Sequence, residues 1–152
     1  MEATNFPLNV KMTNLPSSMY TGFVRNSNGK IYVLVKAAGA IPDGQVFSKD
    51  ATAGTEITVQ VAAAAESAMG VNNTKTAIVS GEYFWGLQVG IGYCHANAAF
   101  PAGLPVMISA VAGRLATIVT GQPQLGIAIA TGDTSVLVNN VVFFTCPGMY
   151  NG

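Results

Sequence analysis

The chain has 152 residues, enough for one domain around a single core and too few for two comfortable ones. Seven Lys plus Arg balance seven Asp plus Glu, and charged residues make up 9% of the chain, against about 25% in an ordinary soluble protein. A neutral chain lacks the basic footprint that phosphate recognition needs, so nucleic acid is excluded as an expected partner.

The charge deficit is uneven. Ten of the fourteen charges fall between Arg25 and Glu82, and from Tyr83 to Gly152 only Arg114 and Asp133 remain. A surface so poor in charge is expected to be covered by other subunits, with the charged, water-facing surface in the middle of the chain.

In chain order, the first residues carry an acid where a signal peptide wants bases, and no apolar h-region follows. No run reaches the length of a membrane span. Synthesis in a cytoplasm is expected, with Cys94 and Cys146 as reduced thiols; a single disulfide between them is the alternative. Residues 1–24 place Phe6, Leu8, Val10, Met12, Leu15, Met19 and Tyr20 among Asn, Thr and Ser, with Pro7 and Pro16 opposing helix. They read as an extended N-terminal arm, ahead of a single β domain at 25–152. Leu8, Val10 and Met12 share one side at period two, which suits strand addition to another subunit. An edge strand folded back on its own domain fits the pattern equally.

From residue 23 onward the pattern is strand and turn. Asn28-Gly29 between β-rich runs at 23–25 and 30–36 is a hairpin signal. Further runs lie at 46–49, 56–61, 76–79, 82–93, 105–109, 114–120, 125–130 and 134–144. Gly81, Gly86, Gly90 and Gly92 in the long central run predict bulges, bends or close backbone approach. Only 61–69, with its four alanines, offers a short helix. The expected class is all-β, a compact β-barrel or β-sandwich.

Two similar β units are expected within it. At an offset of 59, residues 37–54 match 96–113 at seven of eighteen positions. These include Pro42 with Pro101, Gly44 with Gly103, and the Ala-x-Ala-Gly groups ending at Gly54 and Gly113, each expected to close a hairpin. Met69-Gly70-Val71 and Leu125-Gly126-Ile127 continue the echo at an offset of 56.

Catalytic patterns are missing. Cys94 and His95 are adjacent on a strand and point to opposite faces, so they cannot pair as nucleophile and base. One His, two distant Cys and scattered carboxylates give no metal spacing, and Gly90-Ile91-Gly92 lacks the third glycine and the following helix of a dinucleotide loop. No enzyme activity, cofactor or metal is expected. Tyr83 and Trp85 alternate onto one face, where they either fill a core or stack on a sugar ring. Phe143 and Phe144 point to opposite faces, one toward the core and the other toward a neighbour.

The run Pro105-Val106-Met107-Ile108-Ser109-Ala110-Val111-Ala112-Gly113-Arg114-Leu115, continuing to 119, resembles the small head decoration, or cement, proteins of tailed bacteriophages. Gln124-Leu125-Gly126-Ile127-Ala128-Ile129-Ala130, a final valine-rich strand and the earlier Ile41-Pro42-Asp43-Gly44-Gln45-Val46-Phe47 extend the likeness to roughly residues 36–144. The resemblance implies a homotrimer on the outer surface of the virion, stabilising the expanded capsid by clamping neighbouring major capsid protein subunits. It supplies no active-site residues. The interface candidates are Phe6, Leu8, Val10, Met12, Leu15, Met19, Tyr20, Phe143 and Phe144. The alternative is a carbohydrate-binding β module, or a tail or fibre component, adsorbing to a host surface through Tyr83 and Trp85. A hydrolase using Cys94 or Cys146 with His95 ranks last.

Overall fold

A computed structural model describes residues 11–15, 19–51, 54, 56–63, 68–97, 100–117, 124–129 and 141–146, and all regular structure within them is β. The strands are β1 (Val24–Ser27), β2 (Lys30–Ala37), β3 (Val46–Lys49), β4 (Thr58–Val61), β5 (Gly70–Val71), β6 (Tyr83–Tyr93), β7 (Pro105–Ile108), β8 (Leu115–Thr117), β9 (Gly126–Ala128) and β10 (Val141–Thr145). Asn28 and Gly29 hold φ of 50° and 75° between Ser27 and Lys30, which pair across the turn. Two consecutive positive φ values are what a two-residue hairpin needs to match strand twist, and Asn-Gly reaches them with little strain.

The ten strands form one sheet in the order β1-β2-β4-β3-β5-β6-β10-β9-β7-β8, with β2 also paired to β6. That extra pairing closes a ring through β2, β4, β3, β5 and β6. A second circuit runs through β6, β10, β9, β7 and β8, and the parallel bridge of Ala96 to Leu115 returns it to the chain just beyond β6. Closure leaves few strand edges exposed.

The two rings repeat each other residue by residue. Phe47 pairs with Val61 and Gly70; Val106 pairs with Thr117 and Gly126. The parallel contact of Ala37 with Val59 recurs as Ala96 with Leu115. The Gly44 N–H donates to the Asn72 carbonyl at 2.7 Å, and the Gly103 N–H to Ala128 at 2.7 Å. The offset is 59 through β3 and β7 and 56 from β4 and β8 onward, because the second hairpin loop is three residues shorter. One expectation is corrected by this register: Gly54 and Gly113 are not equivalent, since Gly113 precedes Arg114, whose counterpart is Thr58.

Two other expectations change. Val61 ends β4 and Gly70 begins β5, so no helix occurs in the described part of 61–69; residues 64–67 lie outside it. Residues 76–79 make only an isolated bridge, Ile78 to Ile41. The fully buried Asn72 explains the turn before it. Its Nδ2 donates to the carbonyls of Ile41 (2.9 Å) and Thr76 (3.0 Å), and its Oδ1 accepts from the Thr74 N–H (3.1 Å) and hydroxyl (2.7 Å). With every polar atom satisfied, that chain segment folds over instead of extending a strand. The neighbouring Asn73 exchanges both backbone hydrogen bonds of Tyr93 (2.9 and 3.0 Å), and the Tyr93 hydroxyl donates to Asp43 at 2.6 Å.

Phe47 anchors the first core. It is fully buried, edge-to-face with Phe84 at 5.4 Å, and its ring lies on Gly70 and Gly86. A Cβ on Gly86 would sit 2.2 Å from Phe47 Cζ. Here the glycine gives room to a ring, the close approach expected for this strand.

Gly86→Ala should therefore cost about 2–3 kcal/mol, roughly 4–12 °C in Tm for a chain of this size. Phe47→Leu in the same background should recover part of it, and strict additivity in thermal unfolding would contradict the contact. Alkaline stability gives a second test. The Tyr93 hydroxyl is held well above the ordinary tyrosine range by burial and by Asp43, that of Tyr32 is raised by burial, and that of Tyr83 by its bond to Glu56. Above a pH of about 10 the unfolded chain releases these protons while the folded chain keeps them, so stability falls as pH rises. Tyr93→Phe should cost about 1 kcal/mol near neutral pH and flatten that decline; an unchanged slope in Tm against pH would contradict it.

Candidate functional site

Among the described residues, the two rings differ most in their outer faces. On the first ring, Leu34 of β2 and Tyr83 and Trp85 of β6 point away from the Phe47 core. They are buried all the same, because Met12, Leu15, Met19 and Phe23 lie over them. Met12 and Tyr83 exchange backbone hydrogen bonds (2.9 and 2.7 Å), and Lys11 reaches Glu82 at 3.2 Å. Arg25 lies 5.9 Å over the Trp85 ring.

This answers several sequence expectations. Trp85 is 1% exposed and Tyr83 8%, so the glycan-stacking reading of Tyr83 and Trp85 is corrected: large apolar rings with a cover in reach bury themselves. Met12, Leu15 and Met19 pack on their own domain, the fold-back alternative. Tyr20 is exposed at 65% and stacks on Phe23 at 4.2 Å. Phe6, Leu8 and Val10 lie outside the described residues.

On the second ring the outer face carries exposed apolar side chains. Phe143 sits directly opposite Ile91 on β6 and Ile127 on β9. The three make a cross-strand row, and Ile129 lies exposed just past β9. Alternation sends Val142 and Phe144 the other way, into a core shared with Cys94, Phe100, Leu115 and Cys146. Phe144 is thus corrected from interface to core, whereas Phe143 faces outward. No strand from β5 to β10 carries a Lys, Arg, Asp or Glu.

Ile91 and Ile127 were missed as surface residues because an isoleucine in a strand reads as core. Their signal was the neighbouring glycines: Gly90, Gly92 and Gly126 occupy the inward positions, which leaves the isoleucines for the outside.

The polar groups form small structural pairs. Glu56 accepts from the Tyr83 hydroxyl and pairs with Lys36 at 2.9 Å; the Tyr83 bond first, and Lys36 second, hold its carboxyl below the usual carboxylate range. His95 uses its backbone to join the rings, donating to Gly44 and accepting from Leu115 (both 2.9 Å). Burial, then Arg114, lowers the His95 pKa. Burial raises the Cys94 thiol and pushes that of Cys146 up to about 12, so neither is a thiolate at neutral pH. Among the described residues no group of three His, Cys, Asp or Glu could hold a metal ion.

No protein-family model and no curated protein matches the chain. Among solved structures it is similar to the N base of head fiber gp8.5 in bacteriophage phi29, with a TM-score of 0.57 and 10% sequence identity, over 81% of this chain and 98% of that one. At that identity the likeness is one of fold.

Proposed function

We propose that this protein is a structural component of a bacteriophage virion, carried on the outer surface of the head, where it decorates and stabilises the expanded capsid as a homotrimer clamping neighbouring major capsid protein subunits. The observation that carries the reading is the shared fold with a phage head-fiber base over most of both chains. The charge-free strands β5 to β10 support it, since a subunit that holds an expanded shell against internal pressure gains more from many repeated apolar contacts than from tunable ion pairs. The protonated, buried thiols and the structural role of His95 favour assembly over catalysis.

A second reading has the same observation behind it: the chain forms the foot of a fibre on the head without clamping the shell. Heat separates the two. Expanded shells lacking this protein should co-sediment with it, and a clamp should raise the temperature at which they break, whereas a fibre foot should bind and leave that temperature unchanged. Deleting residues 2–10, which keeps Met12, Leu15 and Met19 in place over Trp85, should weaken co-sedimentation without loss of solubility. A soluble chain that ignores shells would sink both readings.

A further inference from the structure

We propose that Arg114, with His95 beside it, is a receiving site for a carboxylate supplied from outside the chain. The inference names a binding site that the virion reading does not require, and it stands or falls without that reading.

The internal repeat places the two side chains. Lys36 lies next to Thr58 and Ala37 next to Val59 where β2 and β4 run parallel. The bridge of Ala96 to Leu115 is the second-ring form of the latter contact, so His95 stands where Lys36 stands and Arg114 where Thr58 stands. Backbone hydrogen bonds repeat in the same way. The Ala38 N–H donates to Val59 at 2.8 Å and the Asn97 N–H to Leu115 at 2.9 Å; the Asp50 N–H donates to Thr58 at 2.8 Å and the Ser109 N–H to Arg114 at 2.7 Å. Ala96 and Leu115 are buried in the core, and alternation turns His95 and Arg114 to the other side.

In the first ring this position holds a cation together with its acid. Glu56, carried by the loop between β3 and β4, pairs with Lys36 at 2.9 Å. The second-ring loop, residues 109–113, is three residues shorter and contains no acid. Among the described residues Arg114 forms no ion pair, and its Nε is buried without a hydrogen-bond partner. A buried charged donor left unmet costs the fold stability, and an acceptor from outside removes that cost. Asp43 does not serve, because its Oδ1 is taken by the Tyr93 hydroxyl (2.6 Å) and the Lys75 N–H (3.1 Å). Burial first, then Arg114, lowers the His95 pKa against a smaller opposing pull from Asp43. One guanidinium beside a neutral imidazole is one unit of charge, which a carboxylate balances, and its two oxygens fit the guanidinium fork.

NMR of the full chain in acetate, with chloride holding ionic strength constant, tests the site. The chain has two arginines and one histidine, so the Nε–H signals of Arg25 and Arg114 and the ring signal of His95 report separately. The Arg114 and His95 signals should move and saturate with acetate while that of Arg25 stays. Read on His95, Arg114→Lys should bind acetate at least about tenfold more weakly, since a lysine has no fork, and Arg114→Gln should not bind it. Tm checks folding, and if Arg114→Gln does not fold, Arg114→Lys decides. Co-sedimentation with expanded shells separates the sources. Arg114→Gln that binds shells at least about tenfold more weakly assigns the carboxylate to an acidic side chain of the shell; unchanged co-sedimentation assigns it to a free small carboxylate. An Arg114 signal that does not saturate, an equal shift at Arg25, a His95 shift that persists in Arg114→Gln, or tighter binding of inorganic phosphate than of acetate would overturn the proposal.

Discussion

An eleven-residue strand, β6, holds the molecule together by belonging to two rings at once. Its residues from Tyr83 to Val89 close the first ring against β2, and Val89 to Tyr93 open the second against β10. A register shift at Ile31 and Tyr32, opposite Val89 and Leu87, marks the place where the strand changes partners. The rings also share more than a strand. Val46, Ala62, Ala68 and Val71 of the first unit pack in the same core as Phe100, Val106, Leu115 and Phe144 of the second. Val46 donates to the Gly113 carbonyl at 3.0 Å, and Gly113 to that of Ala62 at 2.8 Å. The two repeats are joined through this common core, which Val46, Ala62, Ala68 and Val71 could not fill without the second unit.

This arrangement gives the uneven charge a spatial meaning. Strand-borne charges sit on β1, β2 and β3, at Arg25, Lys30, Lys36 and Lys49. The outer face of the first ring is closed by the chain's own residues, with Lys11 and Glu82 at the margin of the seal. The second ring has strands without charge, and Ile91, Ile127 and Phe143 on its outer face are exposed.

Much of this was legible in the residues. Asn28-Gly29 marked its hairpin, and Pro42-Asp43-Gly44 with Pro101-Ala102-Gly103 marked the repeat, because turn chemistry is local and survives without context. The offset change from 59 to 56 was visible at Gly70 and Gly126. Its cause, a shorter hairpin before Arg114, was not, since Ala-x-Ala-Gly matched by composition across a gap. Alternation separated Phe143 from Phe144 but could not say which faced inward. That choice depends on Gly92, where a Cβ would meet the Phe144 ring at 3.3 Å, so the missing side chain leaves the ring room inside. The seat of Met12, Leu15 and Met19 was beyond reach for a similar reason: an apolar stripe fits any sheet face, and only the closed ring reveals that Trp85 lies beneath. No period in the sequence discloses that one strand serves two rings.

Residue-resolved native-state hydrogen exchange tests the shared strand most directly. If β6 and the common core bind the rings into one unit, slowly exchanging amides on both sides, those of Val33 and Val35 in the first ring and of Val142 and Phe144 in the second, should exchange through one opening with the free energy of global unfolding. Exchange of β7 to β10 through a separate opening of lower free energy, while β2 to β5 stay protected, would contradict it.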